Sequence, residues 1–259
     1  MSSERETDIR RFQRHVGEFL VTRYPFFSAL CLALVCSERA SKETYEGFPR
    51  EYIFIYCLSS LIVGSMMGSK TQRSLFALIG SAIYMVHCIL TQTAHIDMNE
   101  WLRARLISRD TALIGCNFVL ASRAHENLIR KYRLRNLFPT GCQILALHIM
   151  FYIALLFYSP EDKKAFLSHI LLGNILLPLY MCIGVTSAIL QMSNIKVSTT
   201  SMIIIVLHII LLFCIDCDFK YWTSRKVEYW TQVEIVAKDC AILGGLLLIN
   251  YTSILKKRS

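Results

Sequence analysis

Apolar runs, several of them short or carrying polar residues, recur along the whole chain between polar stretches. They fall at about residues 24–37, 52–68, 74–94, 106–122, 140–158, 166–190, 199–216 and 236–255. Runs of this length and apolarity predict membrane helices rather than buried helices of a soluble domain. The expected fold is therefore all-α, a polytopic membrane protein of about eight transmembrane helices. The first 23 residues are polar and basic, and no small-residue cleavage site follows a compact apolar core, so the first helix is expected to be retained. Tyr24-Pro25 is expected to open that helix and Phe138-Pro139 the fifth, because proline's missing N–H is not needed in a helix's first turn.

The polar positions inside these runs repeat. Trp101–Ala121, WLRARLISRDTALIGCNFVLA, returns as WTQVEIVAKDCAILGGLLLIN from Trp230 to Asn250. With the tryptophans superposed, Asp110 meets Asp239, Arg109 meets Lys238, Ala112 meets Ala241 and Gly115 meets Gly244. The spacing H-x9-D-x3-W also occurs twice, at His87, Asp97 and Trp101 and again at His208, Asp218 and Trp222. The second copy then runs about two turns longer before its Asp, around Arg225–Tyr229. Two domains are expected, a first four-helix repeat over 1–137 with a basic N-terminal segment and a second over 138–259 with a basic tail. A repeat of four spans is even, so the copies would share one orientation about an axis along the membrane normal.

The charged pairs set the chemistry. Only about 18 Å of helix separates Asp110 from Arg123, against a hydrocarbon core of about 30 Å, so a spanning helix carries Arg109 and Asp110 inside the membrane. The same count leaves Lys238 and Asp239 shallower, near one interface. An intramembrane carboxylate faces the bundle interior and a counter-charge. Arg109 and Lys238 are the nearest candidates, with His87 and His208 within possible reach. A functional polar site and a structural pin between helices both fit this pattern. Gly115, Gly244 and Gly245 are expected to permit close helix approach, and Trp101, Trp222 and Trp230 to anchor the helices at the headgroup level.

Composition agrees with this class. The 259 residues are 54% hydrophobic with a net charge of +9. With a cytosolic N-terminus the larger share of the 28 basic residues falls on the cytosolic side, which places both termini there. The basic hinge RAHENLIRKYRLRNLF from Arg123 could lie on an anionic leaflet or be an ordinary positive-inside loop. The ten cysteines are scattered through the spans as small packing residues, and Cys214-x-x-Cys217 lacks the βαβ setting of a redox motif. His87, His148 and His208 sit mid-span, where helix-packing hydrogen bonds and proton or ligand handling are both open. No zinc spacing, phosphate-binding loop, dinucleotide fingerprint or nucleophile elbow occurs, so no catalytic residue, metal or cofactor is expected, nor a nucleic-acid partner. The sequon Asn250-Tyr251-Thr252 lies inside the last span and should be unused.

Across nearly its whole length the chain resembles the transmembrane protein 101 family. The residues that carry the resemblance are Thr22-Arg23, Pro25-Phe26, Glu38-Arg39-Ala40, Trp101-Leu102 through Arg105, Ser108-Arg109, Ala112, Ile114-Gly115, Leu120-Ala121-Ser122, Glu161-Asp162, His169, Tyr221-Trp222 and Arg225 through Trp230. The resemblance implies a multi-pass membrane protein of undefined biochemistry, with a suggested role in promoting NF-kappa-B signalling. The chain is one residue shorter than the family between Trp222 and Val227. Each half is also distantly similar, through DTALIGCNFVLA and DCAILGGLLLI, to the last helix of DoxX-like proteins and of the surfeit-locus cargo receptors of the early secretory pathway.

Three classes of function follow. The first is a non-enzymatic endomembrane adaptor or cargo-receptor-like protein, with the lipid bilayer and proteins of the secretory pathway or of signalling as partners. The second is a transporter or lipid-binding protein with a polar site between the halves. The third is a DoxX-like membrane oxidoreductase. The first is preferred, because no catalytic constellation stands out. The terminal Lys256 and Lys257 fit a K-K-x-x retrieval signal and equally a plain basic flank. The retrieval reading places the protein in the endoplasmic reticulum or early Golgi.

Overall fold

The computed structural model describes residues 2–40, 48–69, 71–93, 100–123, 136–170 and 173–258, and no strand occurs among them. Asp97 and hinge positions 124–135 lie outside the described residues. The helices are α1 Ser2–Ala40, α2 Arg50–Met67, α3 Arg73–Thr93, α4 Glu100–Ala121, α5 Leu137–Tyr158, α6 Pro160–His169, α7 Gly173–Met192, α8 Val197–Leu211, α9 Phe219–Ser224 and α10 Tyr229–Arg258. By length and composition five of them could cross a membrane, over Ile9–Ala40, Arg73–Thr93, Leu137–Tyr158, Ile175–Met192 and Val197–Asp216.

Three element boundaries differ from the sequence reading. Pro25 lies inside α1 and does not open it. A proline removes one intrahelical N–H, a loss that packed neighbours in a bundle can offset. Pro139, by contrast, falls in the first turn of α5. The run expected as one helix over 166–190 is two, α6 and α7. Ser159 accepts from the Asp162 amide at 3.3 Å and Pro160 follows it, which together start α6 as a separate short helix. Finally, α10 begins at Tyr229, so Lys238 and Asp239 stand more than two turns inside it.

The helices pack in a sequential ring. α1 meets α2, α2 meets α3, α3 meets α4 and α4 meets α5; then α5 meets α7, α7 meets α8, α8 meets α10 and α10 returns to α1. α4 and α10 also pack on each other at the centre. α4 is buried along most of its length, including Arg105, Arg109 and Asp110. A helix that carries charge can sit in a bundle only if other helices cover it, and here α1, α3, α5 and α10 do so.

Glycine sets the tightest crossings. A Cβ on Gly115 would lie 3.2 Å from the Gly141 carbonyl oxygen, and one on Gly141 would lie 2.8 Å from that of Gly115. The α10–α1 crossing has the same form, with Gly244 and Gly17 each facing the other's carbonyl at 3.1 and 2.8 Å. Gly245 lies against Cys116 where α10 meets α4. Small residues let transmembrane backbones come this close, and a larger side chain would force them apart. Gly141→Leu should therefore lower the stability of the protein in detergent by about 1 to 3 kcal/mol, the usual range for overpacking. Thermal unfolding checks this against Gly68→Ala, whose added methyl meets only Ser65 O at 3.1 Å and should change little.

Candidate functional site: a buried ionic cluster

The centre of the bundle holds a chain of paired charges. Arg109 on α4 donates through Nε to both carboxylate oxygens of Asp239 on α10 at 3.0 Å. Its Nη2 donates to Asp216 Oδ1 at 2.6 Å. Lys238 Nζ stands 2.7 Å from Asp110 Oδ1 and 2.8 Å from Glu234 Oε1 one turn back on its own helix. The two charged dipeptides thus pair crosswise, each carboxylate taking its cation from the other helix and not from its sequence neighbour. The reason is geometric: adjacent residues on a helix point about 100° apart, so Arg109 cannot turn back onto Asp110 without leaving its helix face.

A second arginine extends the cluster. Arg105, one turn before Arg109, donates through Nη2 to Asp162 Oδ2 at 2.8 Å, and its Nη1 stands 3.6 Å from Asp216 Oδ1. Its guanidinium lies 4.7 Å from the Trp101 ring centroid, 5.3 Å from Trp222 and 5.5 Å from Tyr152. Aromatic faces attract a cation that has left water, and the same rings exclude water from its ion pairs. Tyr221 donates its hydroxyl to Asp162 Oδ1, and Trp101 donates Nε1 to Asp162 Oδ2 at 3.4 Å. Burial, and then the charge of Asp162, push the Tyr221 phenol up from its ordinary range, so it stays a neutral donor. Asp162 is fully buried.

Local structure explains how these side chains arrive. α8 ends in a π-helical turn, Leu212–Asp216, closed by Cys217 N donating to Leu212 O at 2.8 Å. The wider turn brings Asp216 inward, where Tyr152 on α5 donates to its Oδ2 at 3.1 Å. Such turns often occur where a side chain must be re-aimed. Asp218 then caps α9, its Oδ1 accepting from the Lys220 and Tyr221 amides at 3.1 Å each. That cap turns Trp222 into the interior, where its indole donates to Ile215 O at 3.0 Å. At the rim Arg225 stacks 4.0 Å over Trp101 and pairs with Glu161 at 3.1 Å. The Glu161 carboxyl is held below its usual range by its own amide at the start of α6 and then by Arg225.

Of the residues singled out from the sequence, Arg109, Asp110, Lys238 and Asp239 come together. His208 reaches the Asp239 backbone, its Nε2 lying 3.0 Å from that carbonyl oxygen, and not the carboxylate. His87 stands apart, bonded through Nδ1 to the Tyr52 hydroxyl at 2.7 Å and stacked among Phe48, Tyr52 and Tyr56. His148 Nδ1 meets the Ser108 hydroxyl at 2.8 Å, and its ring lies 6.2 Å from that of His208. Trp222, expected as an interface anchor, is fully buried over the cluster. Trp101 and Trp230 are half-buried. Cys214 and Cys217 are not joined to each other by a disulfide. The side chains of Lys256 and Lys257 lie outside the described ones.

Sequence reasoning named none of Arg105, Asp162, Asp216, Glu234 and Tyr152 as site residues, although Arg105 and Asp162 stand among those that carry the family resemblance. A signal existed for two of them, since Arg105 and Glu234 each lie one turn before a charge already singled out and share its face. No spacing along the chain marked Asp216 or Asp162, because a π-turn and a short capped helix deliver them. The model of the TMEM101 protein family matches residues 7–252 of the chain, and no solved structure matches it.

The corrected pairing changes what double substitutions should do. Asp110→Ala leaves Lys238 with Glu234 alone, whereas Asp110→Leu with Lys238→Leu removes both charges of the cross-pair and leaves Glu234, which keeps 12% of its side-chain exposure, as the one carboxylate to be resolvated. Breaking a buried pair from one side typically costs about 3 to 5 kcal/mol, and apolar replacement of both members is often near neutral. Asp110→Leu with Arg109→Leu should be the worst of the three, because it opens both cross-pairs: Asp239 loses its cation, Lys238 is left with Glu234 alone, and Asp216 with the more distant Arg105. Folded yield by size-exclusion chromatography in detergent ranks them. Equal yields for the two double variants would reject the crosswise pairing.

Proposed function

We propose that this chain, which belongs to the TMEM101 protein family, is a non-enzymatic adaptor or cargo-receptor-like protein of endomembranes, built as two four-helix halves over 1–137 and 138–259. The chain is a multi-pass membrane protein with several apolar helices. The observation that carries the proposal is how its two charged central helices spend their charges. Arg109, Asp110, Lys238 and Asp239 hold one another across the α4–α10 contact, and Gly245 closes that contact against Cys116. A carrier needs to part its halves around a site. An interface sealed by cross-paired ions and close backbone approach favours a rigid frame whose exposed ends and lipid-facing helices meet partners.

The two-half reading has further support in the packing. The order α1–α2–α3–α4 and the order α5–α7–α8–α10 follow the same ring, and the Gly115–Gly141 and Gly244–Gly17 crossings join each fourth helix to the first helix of the other half. Cys116 and Gly245, in contact at the centre, are also superposed when Trp101 is laid on Trp230. On this reading the eight spans include α2, α4 and α10. The family resemblance adds promotion of NF-kappa-B signalling as the cellular outcome, reached through partners. Residence in the endoplasmic reticulum or early Golgi, with both termini cytosolic, belongs to the same proposal and rests on Lys256, Lys257 and the charge bias. A second reading, a transporter or lipid-binding protein with a polar site between the halves, draws on His148 Nε2 and His208 Nδ1, both buried without a hydrogen-bond partner.

Proximity labelling from the full-length protein in cells should recover secretory cargo or signalling adaptors. Lys256→Ser with Lys257→Ser should move the protein towards the cell surface and, with it, reduce NF-kappa-B reporter output. Labelling that returns only bulk membrane proteins, together with an unchanged distribution of the double variant, would reject the adaptor reading and its retrieval signal.

A further inference from the structure

A second charged cluster, separate from the central one, forms where five elements converge at one end of the bundle. Glu18 on α1 receives three arginines. Arg14 Nε donates to its Oε1 at 2.9 Å, Arg123 Nη2, just past the end of α4, lies 3.2 Å from the same oxygen, and Arg73 Nη1, at the start of α3, donates to Oε2 at 2.7 Å. Arg73 is further fixed by its Nε, which donates to Met67 O at the end of α2 at 3.1 Å. Tyr251 on α10 supports the third guanidinium, with Arg123 lying 4.9 Å from its ring centroid.

Among the described residues, one carboxylate against three guanidinia leaves two positive charges over. Glu18, Arg73 and Arg123 retain only 14 to 18% of their side-chain exposure, so water screens that surplus weakly, while Arg14 keeps 42% and opens the cluster to the outside. Arg123 Nη1 is buried with no hydrogen-bond partner among the described residues. A guanidinium N–H buried without an acceptor costs free energy that an arriving oxyanion would return. Like charges held together from α1, α3 and α4 also repel one another unless an anion joins them.

We infer that Arg14, Arg73 and Arg123 form a binding site for a phosphomonoester. A phosphomonoester dianion carries about −1.5 to −2 charges near neutral pH and three acceptor oxygens, which matches both the surplus charge and the open N–H groups. Arginine suits it better than lysine, because its planar fork meets phosphate oxygens in pairs. Two sources present this chemistry: the headgroup of an anionic lipid such as phosphatidic acid or a phosphoinositide, and a soluble phosphate ester. The site does not depend on the adaptor reading or on the two-half reading, since it uses none of the central charges.

The test is thermal unfolding of the purified full-length protein in a neutral detergent, with dioctanoyl phosphatidic acid, dioctanoyl phosphatidylcholine or glycerol 3-phosphate added. A ligand that binds only the folded state raises the midpoint in proportion to its saturation. The phosphatidic acid should raise the midpoint and the phosphatidylcholine should not. Arg14→Gln with Arg123→Gln, which cancels the surplus while sparing Arg73 and its hold on α2, should weaken phosphatidic acid binding by about tenfold or more. Should that variant not fold, Arg14→Gln alone, at the exposed position, should still weaken binding several-fold. Glycerol 3-phosphate acting as strongly as the lipid identifies a soluble ester as the ligand, and its failure identifies the headgroup. Equal shifts with phosphatidic acid and phosphatidylcholine, or shifts that the substitutions leave unchanged, overturn the proposal.

Discussion

Charge that has been taken out of water must find charge of the opposite sign, and the architecture of this protein follows from that constraint. An unpaired buried ion costs several kcal/mol, more than the margin on which most folds rest. α4 carries Arg105, Arg109 and Asp110 into the middle of the bundle, and α10 carries Lys238 and Asp239. Neither helix can face lipid along that stretch. They therefore meet each other at the centre while the more apolar helices surround them.

The need for partners reaches well beyond those two helices. Arg109 takes Asp216 as well as Asp239, which requires the end of α8 to widen into a π-turn. Arg105 takes Asp162, which requires a short capped helix after α5. Trp101, Trp222 and Tyr152 then enclose the guanidinium of Arg105, and α9 exists in part to turn Trp222 inward. Irregular elements that look like interruptions of a simple bundle are the means by which its charges are neutralised.

Close packing and ion pairing reinforce each other here. The crossings of Gly115 with Gly141 and of Gly244 with Gly17 bring backbones near enough that side chains as short as aspartate can reach across an interface. The charges in turn fix the register at which those crossings form, since sliding α10 by one turn would take Lys238 and Asp239 away from their partners. Apolar packing alone specifies register weakly in a membrane, where lipid is as good a neighbour as leucine. A cross-paired set of ions has only one satisfactory alignment.

The sequence by itself determined the helical class, most helix positions and which two helices carry the decisive charges. Those properties follow from local patterns: runs of apolar residues, a spacing that recurs, and four charges at matched positions. It could also have pointed to Arg105 and Glu234, which share helix faces with charges already conspicuous. The partner of each charge was decided only by the tertiary structure, because pairing depends on which helix faces are brought together. So was the burial of Trp222, a residue whose chemistry suits a headgroup surface as well as the roof of an ionic cluster. Asp162 and Asp216 were hidden for the same reason: a cap and a π-turn place them, and no periodicity along the chain records where such a turn points. The unbroken passage of α1 through Pro25 likewise rests on neighbouring helices. Short-range pattern gives the elements, and the requirement that every buried charge find a partner decides how they meet.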